Sequence, residues 1–124
     1  MDQVVLYVAS AMTGLWGVAH LFATKGVVAD FGDLTADNRR IITMEWIVEG
    51  VALVSTAAFV ALATVISPQA AVASAVYAVA TATLAVLAIV SLLFTGFKVA
   101  FLPFRLCPVI FGVSAALIVW GAWL

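Results

Sequence analysis

Ile41–Ile66 has the sequence IITMEWIVEGVALVSTAAFVALATVI. At about 1.5 Å of rise per residue it is long enough, as a helix, to cross a hydrocarbon core of about 30 Å. Its only charges are Glu45 and Glu49, which lie one helical turn apart on one face. A carboxylate in hydrocarbon costs roughly 2.5–3.5 kcal/mol on insertion scales. Two on one face therefore need a compensating reason, and an intramembrane ionisable pair is a functional-site candidate by default.

The rest of the chain agrees with a membrane reading. Of its 124 residues 67% are hydrophobic and 9% charged, and the mean hydropathy is +1.30. A soluble domain carries about 25% charged residues, so this chain cannot cover a water-facing surface. Further apolar runs on either side of Ile41–Ile66 predict an all-α, four-helix transmembrane bundle. Its spans are expected at about 3–24, 38–66, 69–96 and 107–124, in one integral domain covering 1–124. The N-terminal run lacks the basic start of a signal peptide and reads as a retained helix. A single cysteine, Cys107, excludes a disulfide framework. The net charge of −1 offers no basic surface to nucleic acid.

Punctuation sets the expected boundaries. Lys25-Gly26 ends span one. Residues 26–40 then form a loop lying on the bilayer surface, with Thr35 or Asp33 as a cap for span two and Asp37 in its positive first turn. Ser67-Pro68 stops span two and makes the next connection a tight turn, so spans two and three are antiparallel neighbours. Pro103 and Pro108 bracket Arg105 on an expected irregular segment, with Pro108 opening span four. Ser10, Gly14 and Gly17 let a neighbouring helix approach span one closely. The small-residue face Ala71/Ser74/Ala75/Ala78 on span three either packs the bundle or mediates a homo-oligomer.

All five basic residues, Lys25, Arg39, Arg40, Lys98 and Arg105, fall in or beside the first and third connections. The positive-inside rule places those connections in the cytoplasm and both termini outside, an N-out/C-out topology. A multi-pass protein of a prokaryotic plasma membrane is expected.

Helix rise puts Glu45 about 7–8 Å deeper than Arg40, Glu49 about 6 Å deeper again, and His20 level with Glu45. His20, Glu45 and Glu49 are thus candidate catalytic or proton-handling residues in one polar pocket, with His20 as a relay to Glu45. Trp16 and Trp46 are candidate aromatic walls. Asn38, Arg39, Arg40 and Arg105 are candidate ligand contacts at the mouth, where the arginines would attract an anionic head. Two carboxylates one turn apart repel, and burial disfavours their charge, so at least one is expected to carry a proton. Such an acid suits acid–base work or donation to a carbonyl. The structural alternative pairs Glu45 with Arg105 or Lys98 and leaves Glu49 hydrogen-bonded as a neutral acid. No metal site is expected, and haem would lack a second histidine.

GLWGVAH (Gly14–His20) and EWIVEGVAL (Glu45–Leu53), separated by the surface-lying loop, resemble the DoxX-like superfamily of small four-helix membrane proteins over about the first half of the chain. The resemblance implies a link to membrane redox systems such as quinone-linked sulfur oxidation. Intramembrane acids in four helices are also similar to sterol isomerase-like bundles, an analogy at the level of fold. The leading expectation is a protein that binds a lipophilic ligand, a quinone or isoprenoid-type lipid, in a cytoplasmic-side pocket, with a redox-accessory role. Quinone is the cofactor candidate, and membrane lipids are the surrounding partners. The alternatives are an intramembrane acid–base enzyme acting on a lipid, a proton-coupled carrier, and a scaffold subunit of a larger membrane complex.

Overall fold

Thr35 starts the decisive helix. Its side chain accepts from the Asn38 backbone N–H at 3.2 Å, and Asp37 sits in the positive first turn. The helix then runs unbroken from Ala36 to Ile66 and stops where Ser67 precedes Pro68. A computed structural model describes all residues, 1–124. It contains four helices: α1 (Gln3–Asp30), α2 (Ala36–Ile66), α3 (Ala71–Phe94) and α4 (Leu102–Trp123). All four are long and apolar enough to cross a membrane. With large apolar side chains exposed along every helix, the molecule is a multi-pass integral membrane protein.

Two boundaries differ from the sequence expectation by more than two residues. Helix α1 does not end at Lys25-Gly26 but continues to Asp30. An isolated glycine costs a helix only about 1 kcal/mol, and the added turn buries Val27 and Val28. The surface-lying loop accordingly shrinks to residues 31–35. Helix α4 starts at Leu102, with Pro103 in its first turn, so the N-terminal proline rule applies to Pro103 and Pro108 lies inside the helix. Arg105 is therefore helical rather than on an irregular segment.

The helices form a ring in the order α2, α1, α4, α3. Small residues decide the tightest seam. A Cβ on Gly17 would lie 2.8 Å from the Gly50 carbonyl oxygen and 2.9 Å from Leu53 Cβ, and one on Gly14 would lie 3.2 Å from Ala57 Cβ. Ser10 Oγ donates to the Ala57 carbonyl at 2.6 Å in the same seam. The Ser10, Gly14 and Gly17 stripe thus does bring α1 against α2. The α2–α3 seam is the sparsest, although these two helices share the shortest turn. Near that turn Thr64 and Tyr77 hydroxyls meet at 3.0 Å. Away from it, Phe59, Val76 and Val79 line a groove of about 350 Å³ between the helices.

The Asp2 N–H donates to the Gly121 carbonyl at 2.7 Å, which fastens the two termini together. The five bases lie toward the opposite end, in or near the first and third connections.

Candidate functional site

The close approach at Gly17 and Gly50 positions the next residues along each helix. One turn on from Gly17 in α1 is His20, buried at 3% exposure, and next to Gly50 in α2 is Glu49. His20 Nε2 lies 3.6 Å from Glu49 Oε2. That is ion-pair distance but too long for a hydrogen bond, and Nε2 has no hydrogen-bond partner. His20 Nδ1 is 3.0 Å from the Trp16 carbonyl. A carbonyl only accepts, so Nδ1 carries a hydrogen and donates it to Trp16.

Aromatic rings hold the histidine in place. Trp46 stacks on it with centroids 4.5 Å apart and planes at 23°, and donates its Nε1–H to the His20 carbonyl at 2.8 Å. Trp16 meets the imidazole edge-on at 5.8 Å. Phe104 of α4 meets Trp46 edge-on at 5.4 Å. Trp46 comes within reach of His20 because α1 and α2 pack without intervening side chains.

The Glu49 carboxylate is not sealed in. Its side chain is 35% exposed and, with Glu45, Trp46, Thr83, Leu87 and Phe104, it lines a cleft of about 510 Å³ between α2 and the α3–α4 half. Behind Glu49 a smaller cavity of about 180 Å³ reaches Cys107 and Phe111. Toward the connections, a groove of about 630 Å³ runs past Phe31 and Phe104 to Phe101 and Asp30. Thr56 and Thr83 line both the cleft and the apolar α2–α3 groove. Glu49 thus lines a lateral cleft between helices, with further grooves adjoining it.

The structure brings together His20, Glu49, Trp46 and Trp16, and places Glu45 on the cleft wall. The histidine faces Glu49 rather than Glu45, because the glycine crossing puts Gly50, and not the turn before it, against α1. The basic residues stand elsewhere. Arg40 pairs with Asp37 at 3.7 Å. Arg39 and Arg40 line a separate shallow surface of α2 with Thr43 and Ile47. Lys98 Nζ donates to the Leu93 carbonyl at 2.7 Å, capping α3. Arg105 lies over the Phe97 ring at 5.8 Å. Neither Glu45 nor Glu49 is paired with a lysine or arginine, and Asn38 is exposed at the start of α2. No three His, Cys, Asp or Glu side chains are grouped to hold a metal ion.

Phe104 is the site residue that sequence reasoning missed. It lines three of these four neighbouring spaces. One signal marks it: Pro108 stands four residues on, so the Phe104 carbonyl loses its helical donor. Cys107, buried behind Glu49, belongs to the same site.

No family model, curated protein or solved structure matches the chain.

Proposed function

We propose that this protein binds a lipophilic small molecule that reaches it sideways from the bilayer, with the polar head at Glu49 and His20 and the body along the α2–α3 cleft. One observation carries the reading: a buried histidine nitrogen without a partner faces a carboxylate that lines an open crevice. A buried polar atom left unsatisfied costs about 1–3 kcal/mol, and a ligand head that meets it recovers that cost. Trp46 and Phe104 supply the flat apolar walls that ligand sites use around a few convergent polar groups. Quinones and isoprenoid-type lipids have the required form, a slender or flat body with one polar end. The DoxX-like resemblance would give such a binder a redox-accessory role.

The test is co-purification. Protein isolated in mild detergent is extracted with organic solvent, and the extract is compared with bulk membrane lipid by absorption and mass spectrometry. A lipophilic compound enriched in the wild type is expected. Glu49→Gln replaces the carboxyl group that faces His20 and should deplete that compound about tenfold to a hundredfold. An extract that matches bulk lipid in both proteins sinks the proposal.

The adjacency of His20 and Glu49 favours a second reading, acid–base chemistry on the bound molecule. It requires that Glu49→Gln protein still load the compound but no longer convert it. Conversion by that variant removes Glu49 from the chemistry.

A further inference from the structure

Arg39 and Arg40 stand apart from the cleft, and the fold makes little use of either. Lys98 caps the end of α3, and Arg105 lies over the Phe97 ring. Arg39 has no acidic partner. Arg40 meets only Asp37, at 3.7 Å between two largely exposed side chains, and such a contact contributes little. Nor do the two charges help α2, whose N-terminal end favours anions.

The face of α2 beneath them changes character with depth. Thr43, Met44, Ile47 and Val48 continue it, and with the two arginines they line a shallow groove of about 520 Å³. Met44, Ile47 and Val48 are about half-exposed. From Arg40 to Val48 the helix descends about 12 Å. The groove therefore passes from paired guanidinium groups beside the first connection to an open apolar lane inside the bilayer. A third base stands at the same end of the α1–α2 seam: Leu21 packs against Gly50, and the exposed Lys25 follows Leu21 by one turn. The groove is lined by no acid, since Asp30, Glu45 and Glu49 line other spaces.

We propose that this face of α2 is a binding site for an anionic phospholipid. Neighbouring guanidinium forks suit phosphate oxygens, and basic side chains at the membrane surface attract anionic lipid. A free anion would leave the apolar lane unused. A phospholipid fills both parts, with its phosphate at Arg39 and Arg40 and an acyl chain along Met44, Ile47 and Val48. The site is independent of the cleft and of any ligand held there.

The test is native mass spectrometry of the full chain in mild detergent, titrated separately with phosphatidylglycerol and phosphatidylcholine of identical palmitoyl-oleoyl chains. Both lipids carry a phosphate, but choline cancels its charge. One phosphatidylglycerol is expected to bind about tenfold more tightly than phosphatidylcholine. Arg39→Gln/Arg40→Gln should bring it to the phosphatidylcholine level. Lys98→Gln/Arg105→Gln removes as much charge and should keep the preference, as should Glu49→Gln. Arg39→Lys/Arg40→Lys keeps the charge but loses the forks, and should weaken the preference about twofold to fivefold. If the glutamine pair at 39 and 40 does not elute as a single folded species, the lipid comparison and the lysine pair carry the test. Equal binding of the two lipids overturns the proposal. A preference that survives Arg39→Gln/Arg40→Gln places the lipid elsewhere and overturns it. One that falls equally in Lys98→Gln/Arg105→Gln reflects net charge alone, and one lost in Glu49→Gln belongs to the cleft; either result overturns it. Glycerophosphoglycerol, the same head without chains, should not bind detectably. Binding as tight as that of the lipid would overturn the phospholipid assignment.

Discussion

Trp46 grips His20 twice, by stacking on the ring and by donating Nε1–H to the backbone carbonyl of the same residue. The two contacts are separable. Trp46→Phe keeps an aromatic face and loses the donor, so the cost should be that of one hydrogen bond, about 0.6–1.5 kcal/mol in a membrane bundle. Reversible unfolding in mixed micelles measures it. A loss several times larger would mean that the ring geometry had also failed. Ser10→Ala offers a control of similar size on the same helix pair, since the Ser10 bond to the Ala57 carbonyl lies about two turns along α2 from Glu49. It should lower stability by about 0.6 kcal/mol and leave ligand loading unchanged. Cys107 is buried behind Glu49. A charged maleimide should leave it unmodified in the folded protein and label it once the protein is unfolded in dodecyl sulfate. Rapid labelling of the native state would contradict the closed packing of α4.

At the scale of helices, two positions set the site's geometry from a distance. The atoms that a side chain on Gly17 would strike include a backbone carbonyl oxygen and a backbone nitrogen of α2, neither of which can move aside alone. Gly17→Ala should therefore push α1 and α2 apart, destabilise the protein by about 1–3 kcal/mol and separate His20 from Glu49. The linked readout is loss of ligand loading in protein that still elutes as a monodisperse species. Unchanged loading would show that the crossing does not position the pair. Pro108 acts in the opposite sense. It interrupts α4 from within and frees the Phe104 carbonyl from its helical donor. Pro108→Ala should supply that donor and raise thermal stability, and it should weaken ligand loading if the freed Phe104 carbonyl helps to place the Phe104 ring against Trp46. The pattern is that of a functional site maintained at some cost in stability.

For the whole molecule, the ring order explains why the crevice lies where it does. Glycines and Ser10 close the α1–α2 seam, and the paired termini tie α1 to α4. The α2–α3 seam is joined near its turn by Thr64 and Tyr77 and carries an apolar groove beside it. A bundle with one loose seam presents its interior to lipid rather than to water, which suits a ligand that partitions into the bilayer. The termini share an end, and the bases concentrate at the other. The positive-inside rule then predicts that reporters fused to either terminus will be exposed outside the cytoplasm. A cytoplasmic signal from both would invert the orientation and place the crevice mouth in the other leaflet.

Composition and period sufficed for the four spans, because hydrocarbon admits few alternatives: a long apolar run must satisfy its backbone internally, and a helix does so. The carboxylates of Glu45 and Glu49 were legible as an anomaly for the same reason, since their burial cost is a property of the residue and its depth. Pairing was not legible. Depth alone placed His20 level with Glu45, but which carboxylate it faces depends on helix rotation and on the closeness of the Gly17–Gly50 crossing, and these set Glu49 against it. Rotation likewise turned Arg39 and Arg40 onto a separate surface of α2, while local contacts drew Lys98 to a helix cap and Arg105 to Phe97. The sequence by itself determined that two acids lie in a four-helix membrane bundle. Only the packing of the helices decided that one of them meets a histidine on an open lateral cleft with no base beside it, because azimuth and seam width arise from contacts between helices that are distant in the chain.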